Sequence, residues 1–527
     1  MVGVRNLAVL LIALLLITPA VSAKGWAVKY AIKGATFTYP AQPLLSDRTL
    51  YLASVYEVNY TKGRFYFLAL DSGSGELKFA ERLIFKVNGT EVAARELTEG
   101  KHGILRFIPN GNLLAVFPAK RLRSSVFSAM VVAELKRDGG VVWAKYYQLS
   151  VRSNGKLLPR ELMPVDVLVS RESIYILAQS ISWQRPVTVL IKLSPNGTVI
   201  WTKSFTTADI GAKPIGIELS PDGRVLMLVS VLRPLLFWLD ENGNITKGIA
   251  VSLNDEYILK GLLVRDGKAY VIGSIKPKLY EPFILALSAD GKPLWAEKFP
   301  KTGYTFVSLL SDGNFYILGN AGSALQEGGS DYLRHVWVLS LGENGNPRWN
   351  IVTGDSMIDD RLGGIAVDDN VYVTYYRNFL MNPGLVFLAI TKDGSTPCQA
   401  NSPELKPKPF DVTTESAGPI KSGKAMVKAL PLEVKLEKLD LSKKNPCSGS
   451  LTASSSKPKT STTSTAYTHS RSSNSSSTTP NPETSTASTS SRETSPTSTA
   501  STTEKGGICG PAFLVVLSLL SLLHRRP

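Results

Sequence analysis

The chain has 527 residues, of which 43% are hydrophobic and 19% are charged, and its formal net charge is +16. At roughly 150 residues per domain this length allows two to four domains, although all-β folds often exceed that size as one domain. Because the chain has only four His and three Cys, a zinc ribbon, a haem-attachment site and an iron–sulfur cluster are excluded for its body.

Residues 1–23 have the pattern of a secretory signal peptide. Arg5 supplies the positive n-region, Leu7 to Ile17 forms an unbroken apolar h-region, and Val21-Ser22-Ala23 is a small-residue cleavage site. The alternative is a retained N-terminal anchor, but the apolar run is shorter than the ~20 residues that a spanning helix needs. The pattern predicts that the mature chain begins at Lys24 and is extracytoplasmic.

A repeat runs through the body of the chain. An apolar run followed by a turn ending in Gly occurs seven times, with spacings of 64, 58, 46, 48, 54 and 49 residues between the glycines: Gly75, Gly139, Gly197, Gly243, Gly291, Gly345 and Gly394. Four residues after five of them stands a large aromatic residue: Phe79, Trp143, Trp201, Trp295 and Trp349. Asp-Gly or Asn-Gly between apolar runs predicts a β-hairpin.

A second turn of the same kind precedes several of these hairpins, as at Asp266-Gly267 and Asp312-Gly313. Each unit therefore reads as four antiparallel strands, and in the fifth unit they are 262–265, 269–275, 283–287 and 294–299. A four-stranded meander repeated at this spacing is typical of a β-propeller. The prediction is an all-β fold, a seven-bladed β-propeller of four-stranded antiparallel blades, over residues 24–447.

The last unit lacks a good fourth strand, because Pro397 and Pro403 interrupt the segment. The mature N-terminus offers a replacement, since Trp26-Ala27-Val28-Lys29-Tyr30 matches Trp143-Ala144-Lys145-Tyr146. We expect the N-terminal strand to complete the last blade, with residues 399–447 as an appended segment. The repeated Trp are interpreted as blade-to-blade packing rather than as a ligand platform.

The repeats resemble those of quinoprotein-like and WD-repeat-like propellers. The features that carry the resemblance are Ala69 to Leu77 in the first unit and the Trp after the turn in later units. The resemblance covers residues 26–398 and implies an architecture. It implies no activity, because this fold hosts many functions.

Residues 448–508 predict a disordered stalk. In residues 448–503, 36 of the 56 residues are Ser or Thr, interspersed with Pro, a composition typical of O-glycosylated stalks. Residues 509–527 follow, with Cys509-Gly510-Pro511, a predominantly apolar run of twelve residues that predicts a short hydrophobic helix, and Arg525-Arg526 near the end.

This ordered combination resembles the CGP-type C-terminal sorting signal of surface proteins from Thermococcales archaea. The resemblance implies removal of the apolar tail and lipid attachment at Cys509. The alternative is a retained short membrane anchor. In either case the cell membrane is a predicted partner, and the predicted location is the outer surface of the cell.

The body shows no catalytic constellation. It lacks a Gly-x-Ser-x-Gly, a His-Glu-x-x-His and a phosphate loop, and most of its carboxylates stand in turns, where Asp serves backbone geometry. We therefore predict no catalytic residue, no metal site, no cofactor and no nucleic-acid partner.

Two kinds of covalent modification are candidates. Cys398 and Cys447 flank the segment between the ring and the stalk, and a disulfide between them and two free thiols are both open. N-glycosylation sequons give candidate surface sites at Asn59, Asn88, Asn196, Asn244 and Asn474.

In an up-and-down blade with strands a to d, the a–b and c–d turns share one face and the longer b–c and d–a connections share the other. Binding residues concentrate in long loops on rigid scaffolds. The b–c connections interleave basic and aromatic residues: Lys120, Arg121, Arg123, Trp183, Arg185, Lys276, Lys278, Tyr280, Tyr332, Arg334, Arg377 and Phe379. Ordinary solvated loops are the alternative interpretation.

The sequence therefore predicts a membrane-tethered extracytoplasmic propeller that is a non-catalytic binding or scaffold module for a glycan, an acidic polymer or an envelope protein. A quinoprotein-like dehydrogenase and a propeller-type carbohydrate-active hydrolase are the enzymatic alternatives, so enzymatic activity stays open. A structural component of the cell envelope is the third alternative.

Overall fold

A computed structural model describes residues 25–446 with these gaps: 59–61, 95–102, 121–127, 154–155, 183–184, 207–210, 254–255, 276–280, 300–303, 323–333, 354–360, 378–383, 398, 401–404, 418–420 and 445. Residues 1–454 and 455–527 form two separate units. The predicted signal peptide, the predicted stalk and the predicted sorting segment lie outside the described residues. In the described part every regular element is a β-strand.

The strands up to the middle of the chain are β1 (Ala27–Ile32), β2 (Phe37–Thr38), β3 (Leu44–Ser46), β4 (Thr49–Val58), β5 (Lys62–Asp71), β6 (Leu77–Val87), β7 (Thr90–Glu91), β8 (Ile104–Phe107), β9 (Leu113–Lys120), β10 (Ser128–Leu135), β11 (Val141–Ser153), β12 (Lys156–Arg160), β13 (Met163–Val169), β14 (Ile174–Ser182), β15 (Arg185–Leu193), β16 (Val199–Thr206), β17 (Lys213–Leu219), β18 (Val225–Ser230), β19 (Pro234–Leu239) and β20 (Ile245–Ser252).

The remaining strands are β21 (Tyr257–Arg265), β22 (Lys268–Ile275), β23 (Glu281–Ser288), β24 (Pro293–Lys298), β25 (Tyr304–Ser311), β26 (Phe315–Gly322), β27 (Arg334–Leu341), β28 (Pro347–Thr353), β29 (Arg361–Val367), β30 (Asn370–Arg377), β31 (Gly384–Thr391), β32 (Gln399–Ala400), β33 (Lys408–Pro409), β34 (Thr413–Ser416), β35 (Lys421–Lys424), β36 (Met426–Pro431), β37 (Glu433–Lys438) and β38 (Leu441–Lys444).

The strands form seven antiparallel meanders, here called units one to seven in chain order. In units two to six, four consecutive strands from β8–β11 to β25–β28 supply positions a to d. Unit one divides its inner strand between β2 and β3, which both pair with β4. In unit seven the fourth strand is β1, and Ala27–Tyr30 pairs with Leu385–Leu388. The first strand of the described chain thus completes the last meander.

The prediction of seven separate blades is wrong in its count of sheets. Ala94 bridges Gly63 of unit one and Ala119 of unit two, so these two units share one hydrogen-bonded sheet. The propeller therefore has six sheets in its described part, and one of them is double. The cause is the chain after β7, which returns between the two units and satisfies backbone groups of both.

The inner strands face one another around a common centre. Strands β8, β13, β17, β21, β25, β29 and β3 each contact the next one, and β3 contacts β8 again. Five of them carry a β-bulge near their start, for example between Pro164 and Asp166. A bulge bends a strand and increases its twist, which suits the crowded axis.

The core is divided among the interfaces between units. The described residues form seven hydrophobic clusters, and each draws its members from two neighbouring units. Phe65 of unit one, for example, lies 5.2 Å from Phe117 of unit two, measured between ring centroids. Val28 and Tyr30 of β1 join Leu52 and Tyr66 of unit one. The clusters close into a ring because a sheet with two apolar faces needs a neighbour on each side.

The prediction of four strands per unit is also incomplete. The segment from Gln399 to Lys444, here called the strap, adds a fifth outer strand to every unit. It pairs in reverse order with β28, β24, β20, β16, β11, β6 and finally β1. An unpaired edge strand is a template for aggregation, and the strap covers the outer edge of each meander in turn.

Candidate functional site

The face formed by the a–b and c–d turns is here called the turn face. Its carboxylates accept hydrogen bonds from residues of their own turns. In the c–d turn of unit four, the Asp240 carboxylate accepts hydrogen bonds from the backbone N–H groups of Asn242 and Asn244 at 3.0 and 2.7 Å. Hydrogen bonds from Arg224 and Ser220 hold the pKa of Asp222 well below its usual range. These carboxylates stabilise the turns in which they stand.

The repeated Trp lie on the same face and pack against the next unit. Each c–d turn has a glycine at positive φ, and a Cβ on Gly197 would lie 2.6 Å from the ring of Trp143. Trp26 takes the same place against Gly75, and its indole N–H donates to the Ser72 carbonyl at 2.8 Å. Glycine is required here both for its backbone conformation and for the absence of a side chain.

Unit four departs from this pattern. Lys247 stands where the other units have an aromatic residue, and Trp238 with Ile249 fills the space against Gly291 instead. The Lys247 ammonium lies 4.9 Å from the centroid of the Trp238 ring and donates to the Asp290 carbonyl at 2.8 Å. The interface keeps its aromatic packing although the sequence register changes, so the Trp of this face are structural.

The opposite face, formed by the b–c and d–a connections, is here called the loop face. The strand register places a Lys or Arg in the last residue pair of five b–c hairpins: Lys62 opposite Val58, Lys120 opposite Ser128, Arg185 opposite Ser182, Arg334 opposite Gly322 and Arg377 opposite Gly384. Five of the seven b–c hairpins therefore have a Lys or Arg in the backbone pair that borders the loop face, on strand c in three units and on strand b in two, and these five residues are here called the cationic rim.

The structure places only part of the predicted binding face. The backbone of Lys120, Arg185, Arg334 and Arg377 is described, and these residues belong to the cationic rim. The remaining predicted members lie outside the described residues: Arg121, Arg123, Trp183, Lys276, Lys278, Tyr280, Tyr332 and Phe379. Sequence reasoning missed Lys62, because its place opposite Val58 depends on where the hairpin closes.

Unit four and the following connection form a cavity on the loop face. Its volume is about 480 Å³, and Leu232, Arg233, Glu256 and Tyr257 are among its lining residues. Leu232 is 72% exposed, and Arg233 forms an ion pair with Glu415 of the strap. Burial raises the pKa of Tyr257 to about 12, so its phenol is neutral at physiological pH. The cavity combines apolar surface with one cation and one anion.

A buried ion pair lies among the inner strands. Arg106 donates to the Asp166 carboxylate at 2.8 Å, and the backbone N–H of Ile217 donates to the other oxygen at 3.2 Å. Asp166 thus joins units two, three and four. Its oxygens are used by these donors, which assigns the pair a structural role.

The other candidate residues fall in different places. Asn88, Asn196 and Asn244 are exposed in turns, whereas Asn59 and Asn474 lie outside the described residues. Cys398, Cys447 and Cys509 also lie outside them. No group of three or more His, Cys, Asp or Glu in the described part of the chain is arranged to hold a metal ion. Over the same residues, no helix has the length and apolarity to cross a membrane.

Comparison with known proteins shows no family for this chain. No family model matches the sequence, and no curated protein sequence matches it. Among solved structures, a quinohemoprotein alcohol dehydrogenase from Pseudomonas putida has a TM-score of 0.42 and 11% identity, covering 73% of this chain and 79% of its own.

Two further solved structures show similar likeness. A Trypanosoma rangeli sialidase has a TM-score of 0.33 and 14% identity, covering 58% of this chain and 57% of its own. A Bacteroides caccae protein of unknown function has a TM-score of 0.34 and 10% identity, covering 62% of this chain and 94% of its own. The assignment of this chain as a β-propeller rests on its own strand pairing and on the ring of inner strands.

Proposed function

We propose that this protein is a membrane-tethered extracytoplasmic β-propeller that binds an anionic polymer, such as an acidic glycan, on its loop face. The observation that carries the proposal is the cationic rim. Five of the hairpins that open onto this face have a Lys or Arg in their last backbone pair, three on strand c and two on strand b. Basic residues repeated around a ring attract an extended polyanion.

The contrast with the turn face supports this choice of side. On the turn face, carboxylates accept hydrogen bonds from their own turns, as Asp240 does. The aromatic rings of this face pack against glycines of the next unit. The loop face has the cationic rim and a cavity of about 480 Å³ whose lining includes Arg233 and Glu256. A ligand with negative charge is therefore expected on the loop face.

The binding test compares two variants with the same loss of charge. The first replaces Arg185, Arg334 and Arg377 of the rim by Ser, and the control replaces Lys136, Arg171 and Arg348, near the turn face, by Ser. With polygalacturonate as the probe, we expect the rim variant to bind at least tenfold more weakly and with a smaller salt dependence. We expect less than a threefold change for the control.

Two outcomes would contradict the proposal. Equal weakening of both variants would show that only the overall charge attracts the probe. Equal affinity for neutral dextran would remove the role of charge. Calorimetry at two salt concentrations separates these cases, because contacts between charged groups weaken as salt is added.

The tether is proposed from the sequence of the two ends. We expect cleavage after Ala23 and lipid attachment at Cys509 with loss of the apolar tail. Intact-mass analysis of protein extracted from its own membrane tests both, since the mature chain would begin at Lys24 and carry a lipid mass on a shortened C-terminus. A chain that retains residues 510–527 would favour the retained anchor instead.

A further inference from the structure

The sequence contains six Asn-Gly pairs, and the structure describes five of them: Asn88-Gly89, Asn110-Gly111, Asn196-Gly197, Asn242-Gly243 and Asn344-Gly345. The sixth, Asn154-Gly155, lies outside the described residues. Asparagine is a thermolabile residue, and it is most labile before glycine, because no side chain hinders the glycine nitrogen. The surroundings of each pair therefore decide which asparagine reacts.

Four of the described pairs lie in turns of the turn face, where the glycine nitrogen is held. The backbone N–H of each glycine donates to the carbonyl three residues earlier at 2.9 Å: Gly111 to Ile108, Gly197 to Ser194, Gly243 to Asp240 and Gly345 to Gly342. A Cβ on Gly197 or on Gly243 would lie 2.6 Å from a Trp ring, so these two glycines are also tightly packed. In all four pairs the turn must open before the nitrogen can reach the asparagine side chain.

The turn at Asn88-Gly89 has none of these restraints. It joins β6 to β7 at the loop face, and its two residues have φ of 48° and 76°, as a two-residue type I′ turn requires. Asn88, Gly89 and Thr90 are exposed, and nothing lies within 4 Å of the place of a Cβ on Gly89. Within the described part of the chain, neither the Asn88 side chain nor the Gly89 N–H has a hydrogen-bond partner.

We propose that Asn88 is the asparagine of the described chain that is lost first by spontaneous deamidation. The Gly89 backbone nitrogen loses its proton and attacks the side-chain carbonyl carbon of Asn88. The bond from that carbon to the side-chain nitrogen breaks, and this nitrogen leaves with the proton as ammonia. Water then opens the cyclic imide at either carbonyl and gives aspartate or isoaspartate at position 88. The reaction needs no oxidant, metal or enzyme, and it does not depend on binding at the loop face.

The products would loosen the connection between units one and two. Isoaspartate adds a methylene carbon to the main chain of a turn whose length sets the register of β6 and β7. Just beyond β7, the Val92 N–H donates to the Phe85 carbonyl at 2.8 Å, and Ala94 bridges the two units. We expect the change of register to weaken the pairing that leads to this bridge. Both products also add a negative charge at the loop face.

Peptide mapping by mass spectrometry tests the site. Full-length protein from a host without N-glycosylation, in which Asn88 starts unmodified, is incubated at mildly alkaline pH in the native state and in denaturant. In denaturant we expect similar rates at all described pairs. In the native state we expect Asn88 to stay within about threefold of its unfolded rate, and the other four to slow at least about tenfold because they need local opening.

Asn242 is the matched control, because its side chain is also exposed while the Gly243 N–H is bonded. Equal native rates at Asn88 and Asn242 would overturn the proposal, as would protection of Asn88 as strong as that of the other pairs. This comparison uses the wild-type chain alone and does not depend on the folding of a variant.

Substitutions test the origin and the consequence of the change. Asn88→Gln should remove the acidic form that accumulates during incubation, whereas Asn242→Gln should leave it. We expect hydrogen exchange at Glu91 and Val92 to be faster in aged wild-type protein and unchanged in aged Asn88→Gln. An acidic form that persists in Asn88→Gln would place the reaction elsewhere, and unchanged exchange in fully converted wild type would show that the connection is not loosened.

Discussion

The seven meanders and the strap are both built from β-strands, yet different forces hold them. A meander is bonded to itself through tight turns and packs on both faces against its neighbours, so that residues such as Leu52 and Phe67 are fully buried. In the described part of the strap, each strand pairs with a strand of a meander and not with another strap strand. The residues of β36 and β37 are exposed or half-exposed. The meanders are therefore stabilised by their own turns and packing, whereas each strap strand depends on backbone pairing with the outer strand of a meander.

This difference predicts how far the loss of a single contact should affect the rest of the structure. Loss of a contact between meanders opens a cavity in a shared core and should affect the whole ring. Loss of a strap contact should free a short outer strand and leave the core packed. Local opening free energies differ within one protein in this way, and the following predictions separate the two regions.

Trp143→Ala should have the largest effect. The substitution removes the ring that packs against Gly197 and leaves a cavity in its place. It also removes the hydrogen bond from the indole N–H to Glu134. We expect about 3 kcal/mol of lost stability, measured by denaturant unfolding. Val142→Ala is the control, because Val142 is 49% exposed and its truncation should cost less than about 0.5 kcal/mol. Equal effects of the two would show that the Trp does not hold the interface.

Phe410→Ala in the strap should cost less, about 1–2 kcal/mol, because the ring is only half-buried against Phe283. Its effect should also be local. We expect hydrogen exchange to accelerate at the neighbouring strap strands β33 and β34 while the amides of β22 and β23 keep their protection. Accelerated exchange throughout unit five would mean that the strap is part of the core.

The same contrast explains what the sequence could reveal. The Asp-Gly and Asn-Gly turns are local signals, so the four strands of unit five are predicted within five residues of their observed ends. Strap strands such as β35 have four residues and pair with partners more than 200 positions away. No local pattern identifies such a partner. The sequence predicts residues 399–447 as an appended segment, but it does not predict the path of that segment around the ring.

The same contrast between local sequence signals and long-range pairing applies to the candidate site. Basic residues in the b–c connections are apparent in the sequence, whereas their common register is not, because it depends on where each hairpin closes. Lys62 is the example, since nothing near it marks Val58 as its partner. Ala94 is the corresponding case for the fold, because its two bridges to different units depend on tertiary contacts that a repeat alignment does not contain.

Acid should weaken the meanders through their turns. Side-chain hydrogen bonds, from Arg224 to Asp222, from Ser288 to Asp290 and from Thr391 to Asp393, lower the pKa of each carboxyl. A carboxyl whose pKa is lowered in the folded protein contributes stability that is fully present above its pKa in the unfolded chain, about 3.9. That stability is lost as the pH falls through the pKa of the carboxyl in the folded protein.

The melting temperature should therefore be steady from pH 7 to pH 5 and fall progressively below about pH 4. Asp222→Asn should lower it at pH 7 and flatten its fall in acid, because the titrating carboxylate is gone. A variant with the same acid slope as the wild type would show that other groups cause the decline.

Glu415→Gln should have the smallest effect of all, although it removes the ion pair that joins β34 to Arg233. Both side chains are more than half exposed, and surface pairs of this kind contribute about 0–1 kcal/mol. The backbone hydrogen bonds between β34 and β20 remain, as does the bond from the Ala417 N–H to the Gly248 carbonyl at 3.1 Å. We expect unchanged exchange at residues 413–416 and a difference in unfolding free energy below about 0.5 kcal/mol that disappears in high salt. Release of residues 413–416 by this substitution would mean that charge rather than backbone pairing holds the strap. The contrast between a strap that depends on pairing with the meanders and meanders that stabilise themselves would then be wrong.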